Sequence, residues 1–222
     1  VNGNIIGDDR VAIGETVRRG STSPQPRLGF GWSWDDLAFG FAAPVGSLQY
    51  HENVVAIRIT PNRAIDLPAE IFIQNAGSGL TLINQTTTTS RGEPSLIQLQ
   101  RAAGKPELVV SGSIGGGTSA IICPVSVANP TSFFVQALRE SLEAEGVVVS
   151  GNAVDIDHLT KTQQASATNG LQRLLENQSE PLSTIAVDMM KRSQNLFAES
   201  IYRRLGFSFG DTGSAVVAQV LD

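Results

Sequence analysis

The 222-residue sequence has 16 basic and 21 acidic residues, a net charge of −5 and a pI near 5.1. Its Lys and Arg residues are scattered, which excludes a nucleic-acid partner because phosphate contacts demand clustered positive charge. No run approaches the roughly 18 apolar residues of a transmembrane segment, and 22 Gly and 10 Pro with many Thr, Ser and Val favour a β-rich or mixed fold.

In chain order, Val1-Asn2-Gly3-Asn4 is neither a signal peptide nor a natural Met start, and both ends read as cut ends. Asn4-Ile5-Ile6 reads as a short strand running into the Gly7-Asp8-Asp9 turn, followed by a loop. Residues 20 to 36 are dense in Gly, Ser, Pro and aromatics, and the rings of Trp32 and Trp34 are expected to anchor an irregular segment onto a domain surface. Residues 54–60, 70–74, 95–100, 107–112 and 120–122 are rich in β-branched residues and read as strands, with a β-sheet module over about 59 to 117. No internal repeat stands out.

At Asn129-Pro130 the period changes. Phe133, Phe134, Ala137, Leu138 and Leu142 recur at helical spacing until Gly146 stops the helix. Val147-Val148-Val149 is then expected as a strand, residues 157 to 170 as a polar linker, and Leu171 to Leu175 as a short helix. A longer helical stretch is expected from Pro181, placed in its first turn, to Leu205.

On that stretch the apolar face runs through Leu182, Ile185, Met189, Leu196, Phe197, Ile201 and Leu205, and Ser193 falls in its gap. Asn195 would lie on a different face of an unbroken helix. Ser193 and Asn195 can therefore share a pocket only if the helix bends or breaks beside Ser193. Alone, Ser193-Gln194-Asn195 is a weak S-x-N match, since chance supplies on the order of one such triplet in a chain of this length. Ser150-Gly151-Asn152 is another, read as a Gly turn after a strand. A bland alternative for Ser193 is a small residue making room for a neighbouring helix.

Context adds a resemblance. Residues 177–185, Asn-Gln-Ser-Glu-Pro-Leu-Ser-Thr-Ile, with Met190-Lys191-Arg192-Ser193-Gln194-Asn195-Leu196-Phe197-Ala198-Glu199, resemble the second-motif region of class C low-molecular-mass penicillin-binding proteins, which are D-Ala-D-Ala carboxypeptidases and endopeptidases. Three other blocks are similar to the same family in the same order: residues 3–9, Trp32-Ser33-Trp34-Asp35-Asp36 leading to Ala43-Pro44-Val45, and Asn129-Pro130 through Gly151.

Such enzymes acylate the serine of an S-x-x-K motif and complete the site with S-x-N and K-T-G. Here Lys105, Lys161 and Lys191 are preceded three residues earlier by Ala102, His158 and Asp188, so S-x-x-K is absent. Lys161-Thr162-Gln163 lacks the glycine of K-T-G, and Asp211-Thr212-Gly213 lacks its lysine. The family places its S-x-x-K before this region and its K-T-G after it, so the resemblance implies a chain cut at both ends and inactive alone.

The resemblance further implies an α+β (mixed) fold: a fragment of the penicillin-binding (β-lactamase-like) domain at 164–222 and two nested β-rich accessory domains. The outer one is expected at 1–58 and 118–163, the inner one at 59–117. Ser193 would help relay a proton to the leaving D-Ala amine, and Asn195 would hydrogen-bond the substrate's peptide carbonyl. Peptidoglycan stem peptides would be the substrate, β-lactams covalent inhibitors of the longer protein, and the compartment periplasmic or otherwise extracytoplasmic. The alternative is a noncatalytic peptidoglycan-binding or protein-interaction module; an esterase or β-lactamase relative would need the same missing motifs.

No cofactor and no metal site is expected. Cys123 is the single cysteine, in an apolar run, and reads as a small core residue. His51 and His158 lack the spacing of a zinc pair and read as surface or hydrogen-bonding residues. Asp35-Asp36 reads as a turn or helix cap, and Gly115-Gly116-Gly117-Thr118 as a flexible turn.

Overall fold

The computed structural model describes residues 1–10, 28, 31–74 and 77–209. The loop expected after Asp9, most of the segment from 20 to 30, and Asp211-Thr212-Gly213 lie outside them. Strand β2 (Val54–Thr60) alternates in burial, with Val55, Ile57 and Ile59 inward and Arg58 outward, the period-2 pattern of a half-buried strand. It is the middle strand of an antiparallel sheet between β3 (Glu70–Ile73) and β7 (Ile121–Ser126), in the register Val54↔Ser126 to Ile59↔Ile121. A second sheet has β6 (Glu107–Gly116) in the middle, parallel to β4 (Thr81–Arg91) and antiparallel to β5 (Leu96–Gln100). The two sheets share one apolar core, in which Ile57, Ile59 and Val125 of the first meet Leu99, Leu108 and Val110 of the second.

Helix α1 (Pro130–Ala144) closes this core with Phe133, which is 1% exposed. Asn129 caps it by accepting from Ser132 N at 3.1 Å, and Pro130 takes the first helical position, where a missing N–H costs nothing. The other side of α1 rests on a small parallel sheet of β1 (Ile5–Gly7) and β8 (Ala153–Asp155). Gly7 allows this approach: a Cβ there would lie 2.7 Å from Thr131 Cγ2 and Val135 Cγ1. At the N-terminus of α1, buried Asp9 accepts from Thr131 Oγ1 and buried Asp155 from Asn129 Nδ2, each at 2.7 Å, which places negative charge where the helix dipole favours it.

Several sequence expectations shift. Val147-Val148-Val149 forms no ladder; Val148 is 80% exposed, and the strand comes later, at β8. Leu171 to Leu175 is not helical: Leu171, Leu174 and Leu175 all face solvent, and a single helical turn without an apolar partner is not self-sustaining. The expected linker instead holds α2 (Lys161–Ala167), started by a reciprocal cap in which Thr160 accepts from Gln163 N and Gln163 Oε1 accepts from Thr160 N. Gly115 and Gly116 belong to β6, where the backbones of Glu93 and Thr89 come too close for a side chain; the turn begins only at Gly117. Ser150-Gly151-Asn152 leads into β8 rather than following a strand, with Gly151 pressed against the Gly3 carbonyl.

Strand β4 lies in a stretch for which the sequence predicts no strand. Its buried Thr86 and Thr88 are satisfied by Ala69 N at 2.9 Å and Asn62 N at 3.0 Å, so the hydroxyls enter the interior without loss. Of the two Trp rings, Trp34 is 73% exposed, contrary to the expected anchoring, whereas Trp32 packs near Phe41 with centroids 6.4 Å apart. Asp35 and Asp36 sit in a 3-10 turn capped by Ser33. Cys123 lies beside the core and only half buried, its thiol pushed up by burial.

Arg101 bolts the pieces together. Its guanidinium donates to Leu37 O at 2.6 and 3.2 Å, to Val127 O at 3.0 Å and to Ser126 Oγ, joining the end of β5 to the end of β7. Burial lowers its pKa to about 10, so it stays charged at neutral pH. Arg101→Met is expected to cost about 3 kcal/mol by leaving interior acceptors unpaired, read by denaturant unfolding. Gly112→Ala, whose Cβ would strike the Leu96 carbonyl, is expected to destabilise more than Gly104→Ala, which also has positive φ but meets nothing within 4 Å.

Candidate active site

The long helical stretch is two helices. Helix α3 (Leu182–Arg192) ends at Ser193, which takes the left-handed conformation (φ 53°, ψ 47°), and α4 (Asn195–Phe209) begins two residues later. Pro181 stands just before α3 instead of in its first turn, and its carbonyl accepts from Thr184 N at 2.9 Å and Ile185 N at 3.2 Å. Ser193 N and Gln194 N both donate to Met189 O, which closes α3, while Gln194 Oε1 accepts from Leu196 N at 3.2 Å and so caps α4. The break beside Ser193 is the one that a shared pocket requires.

The joint leaves Ser193 exposed and Asn195 half buried, followed by the buried Leu196. Asn195 Nδ2 donates to Phe41 O at 3.0 Å. An amide has two N–H donors and one carbonyl, so this bond fixes its plane and leaves a donor and an acceptor over. A cavity of about 730 Å³ opens in front of the joint, with Ser193 and Gln194 on its rim and Phe39, Ile97, Ile122 and Cys123 among its apolar walls. Phe41 also lines it, stacked on Phe39 at 5.6 Å between centroids. Asn195 itself is not part of the lining; it borders the cavity through the Phe41 backbone.

A second turn faces the joint. His51, Glu52 and Asn53 all have positive φ, at 49°, 54° and 55°. For residues other than glycine each such conformation costs about 1 kcal/mol or more. The turn is held by Asn53, 0% exposed, which donates to Pro44 O at 2.9 Å and accepts from Tyr50 N at 3.3 Å. It presents Glu52 to the joint: one oxygen pairs with Arg192 at 2.8 Å and the other accepts from Gln194 Nε2. Glu52, and then Asp188 at 3.2 Å, raise the Arg192 guanidinium above its usual range. Both histidines are exposed; His51 Nδ1 lies 3.1 Å from Val54 O and the ring borders the cavity.

Chemically, the described residues offer an exposed hydroxyl, a carboxamide fixed by Phe41 O and a tethered cation near an apolar cavity. Sequence reasoning singled out Ser193 and Asn195 but missed Glu52, Gln194 and Phe41. Glu52 lies 142 positions from Gln194, and no local pattern could have connected them.

This fold is that of penicillin-binding proteins. The structure matches the crystal structure of penicillin binding protein 4 (dacB) from Haemophilus influenzae with a TM-score of 0.70 at 17% identity, covering 99% of this chain and 45% of that one. A second structure of that protein, complexed with a β-lactam, matches at a TM-score of 0.57 and 15% identity, covering 99% of this chain and 51% of that one.

The profile of the D-Ala-D-Ala carboxypeptidase 3 (S13) family matches residues 10–221, and the chain belongs to that family. It is 24% identical over 194 residues to the D-alanyl-D-alanine carboxypeptidase of Actinomadura sp. (strain R39), covering 85% of this chain and 35% of that protein. To the D-alanyl-D-alanine carboxypeptidase DacB of Haemophilus influenzae it is 23% identical over 188 residues, covering 82% and 36%. The chain thus spans about a third of the length of these curated relatives. Among the described residues no helix is long and apolar enough to cross a membrane.

Because Ser193 sits in a left-handed joint, Ser193→Gly is expected to raise stability by about 0.5–1 kcal/mol, a rise of roughly 2 °C in Tm for a chain of this size. Calorimetry checks it, and a fall in Tm would show that the hydroxyl is itself needed to hold the joint.

Proposed function

We propose that these residues form one wall of the active site of a longer serine-type D-Ala-D-Ala carboxypeptidase or endopeptidase, which trims or cleaves peptidoglycan stem peptides through an acyl-enzyme. The observation that carries the reading is the left-handed joint at Ser193. It breaks the helix between the serine and asparagine of an S-x-N triplet, with Ser193 lining a cavity and Asn195 bonded to Phe41, which lines the same cavity.

In this reading the nucleophilic serine, its lysine and the K-T-G strand are contributed from outside the 222 residues. Attack on the scissile carbonyl forms an ester and releases D-Ala; water then hydrolyses the ester and frees the serine. Ser193 relays a proton to the departing amine. Asn195, oriented by Phe41 O, offers its remaining amide donor to the substrate's peptide carbonyl. β-Lactams would acylate the same serine and inhibit the longer protein, which would act outside the cytoplasmic membrane, where its substrate lies.

Exposed apolar side chains support a missing remainder of the domain. Leu171, Leu174, Leu175, Leu182, Val187 and Met190 all face solvent, and Leu174 is 89% exposed. A contiguous domain does not leave so many large apolar groups uncovered in 20 residues. We further propose the nested arrangement of accessory domains, 59–117 within 1–58 and 118–163. The chain passes out through β2 and back through β7, which are hydrogen-bonded neighbours, so an insert on this stem leaves the outer unit's ends adjacent. The expected joins fall within β2 and just before β7, and strand β3 continues the stem sheet.

Labelling with a fluorescent penicillin tests the proposal. The longer protein is expected to label at a serine outside these residues, the 222-residue chain not at all, and Asn195→Ala in the longer protein to slow acylation about 100-fold. Absence of labelling in both would favour a noncatalytic wall-binding or interaction module; labelling of this chain at Ser193 would overturn the assigned roles.

A further inference from the structure

We infer that Glu52 is a positioning residue for the Ser193 and Asn195 pair, acting through the two residues that flank Ser193. The inference rests on the peptidase reading above but uses contacts that the family match does not supply.

Its two carboxylate oxygens are divided between Arg192 and Gln194, one residue before Ser193 and one after it. A group that holds both neighbours of a residue restricts rotation of the peptide units on either side. Here those units set where the Ser193 hydroxyl stands. This restraint from across the fold adds to the local bonds to Met189 O, and it matters because Ser193 is exposed and its Cβ makes its conformation costly.

The contact to Gln194 reaches further. A carboxylate accepts but does not donate, so it orients the Gln194 amide with Nε2 toward Glu52 and Oε1 toward Leu196 N. That second bond caps α4, whose first residue is Asn195. Without Glu52 the amide is free to turn over, and the start of α4 loses its cap. The contact to Arg192, with help from Asp188, likewise fixes where this cation stands in the cavity wall beside Ser193.

The carboxylate can impose this order because its own base is rigid. It lies between His51 and Asn53 in the left-handed turn, and Asn53 fastens that turn to the core through Pro44 O and Tyr50 N. A pair formed by two mobile surface chains would lack such a base. The side chains of Glu52 and Arg192 are 33% and 51% exposed, so the pair adds little to global stability. Position and stability can therefore be separated by experiment.

In the longer protein, Glu52→Ala and Glu52→Gln are compared with wild type by three measurements: melting temperature, amide hydrogen exchange across 189–197, and the second-order rate of acylation by fluorescent penicillin. Glu52→Ala is expected to leave the melting temperature within about 2 °C, speed exchange at the joint, and slow acylation about 10-fold, less than the roughly 100-fold that a 1 Å misplacement can cause. Glu52→Gln, which keeps one acceptor, should fall between. Once Glu52 is alanine, a further Arg192→Gln change should add less than it does in wild type, because the two act on one contact. Unchanged exchange and unchanged acylation would overturn the inference, as would faster exchange with an unaltered acylation rate, which would make Glu52 a tether without consequence for the site. If wild type itself does not acylate, the peptidase reading fails, while unchanged exchange in Glu52→Ala would separately show that Glu52 does not hold the joint.

Discussion

One buried carboxamide sets the geometry on which the site depends. Asn53 sits at the foot of β2 with no exposure, and its bonds to Pro44 O and Tyr50 N hold three successive residues in left-handed backbone. Val127 N also donates to Asn53 O, so the same residue ties β2 to the chain leaving β7. A polar group so deep is tolerable only because both ends of its amide are matched. The consequence is a turn stiff enough to project Glu52 across a gap that the core does not fill.

The joint at Ser193 is the counterpart of that turn. Two amphipathic helices meet there at a residue whose φ glycine would accept more readily, and the chain tolerates the cost because neighbours on both sides are bonded: Met189 O behind, Leu196 N ahead, Glu52 across. Local strain kept in place by surrounding contacts is a common feature of reactive sites, where geometry matters more than local stability. Here it turns Ser193 to solvent and leaves Asn195 bonded to the carbonyl of Phe41, a residue that lines an apolar cavity.

The architecture divides the labour. The β-rich part has a shared core of β-branched residues and a charged bolt, Arg101, across its seams. Among the described residues the helical part has one buried apolar side chain, Leu196, and a row of exposed ones on α3 and the segment before it. The chain covers about a third of the length of its curated relatives.

The sequence by itself determined those elements whose signal is local. The alternation of Val55, Ile57 and Ile59, the Asn129-Pro130 start and Gly146 stop of α1, and four ordered blocks of family likeness were all readable in short windows, because period and capping act over a few residues. It did not show β4, whose threonines enter the interior by finding partners at Asn62 and Ala69, and it predicted a helix at Leu171 to Leu175, where Leu171, Leu174 and Leu175 face solvent instead. The sequence could state the condition for Ser193 and Asn195 to meet, a break in the helix, but could not supply its cause. Only the tertiary structure showed what meets the joint: Glu52, 142 residues from Gln194, bonds to it from a turn held by buried Asn53, and contact between such distant residues leaves no trace in local periodicity.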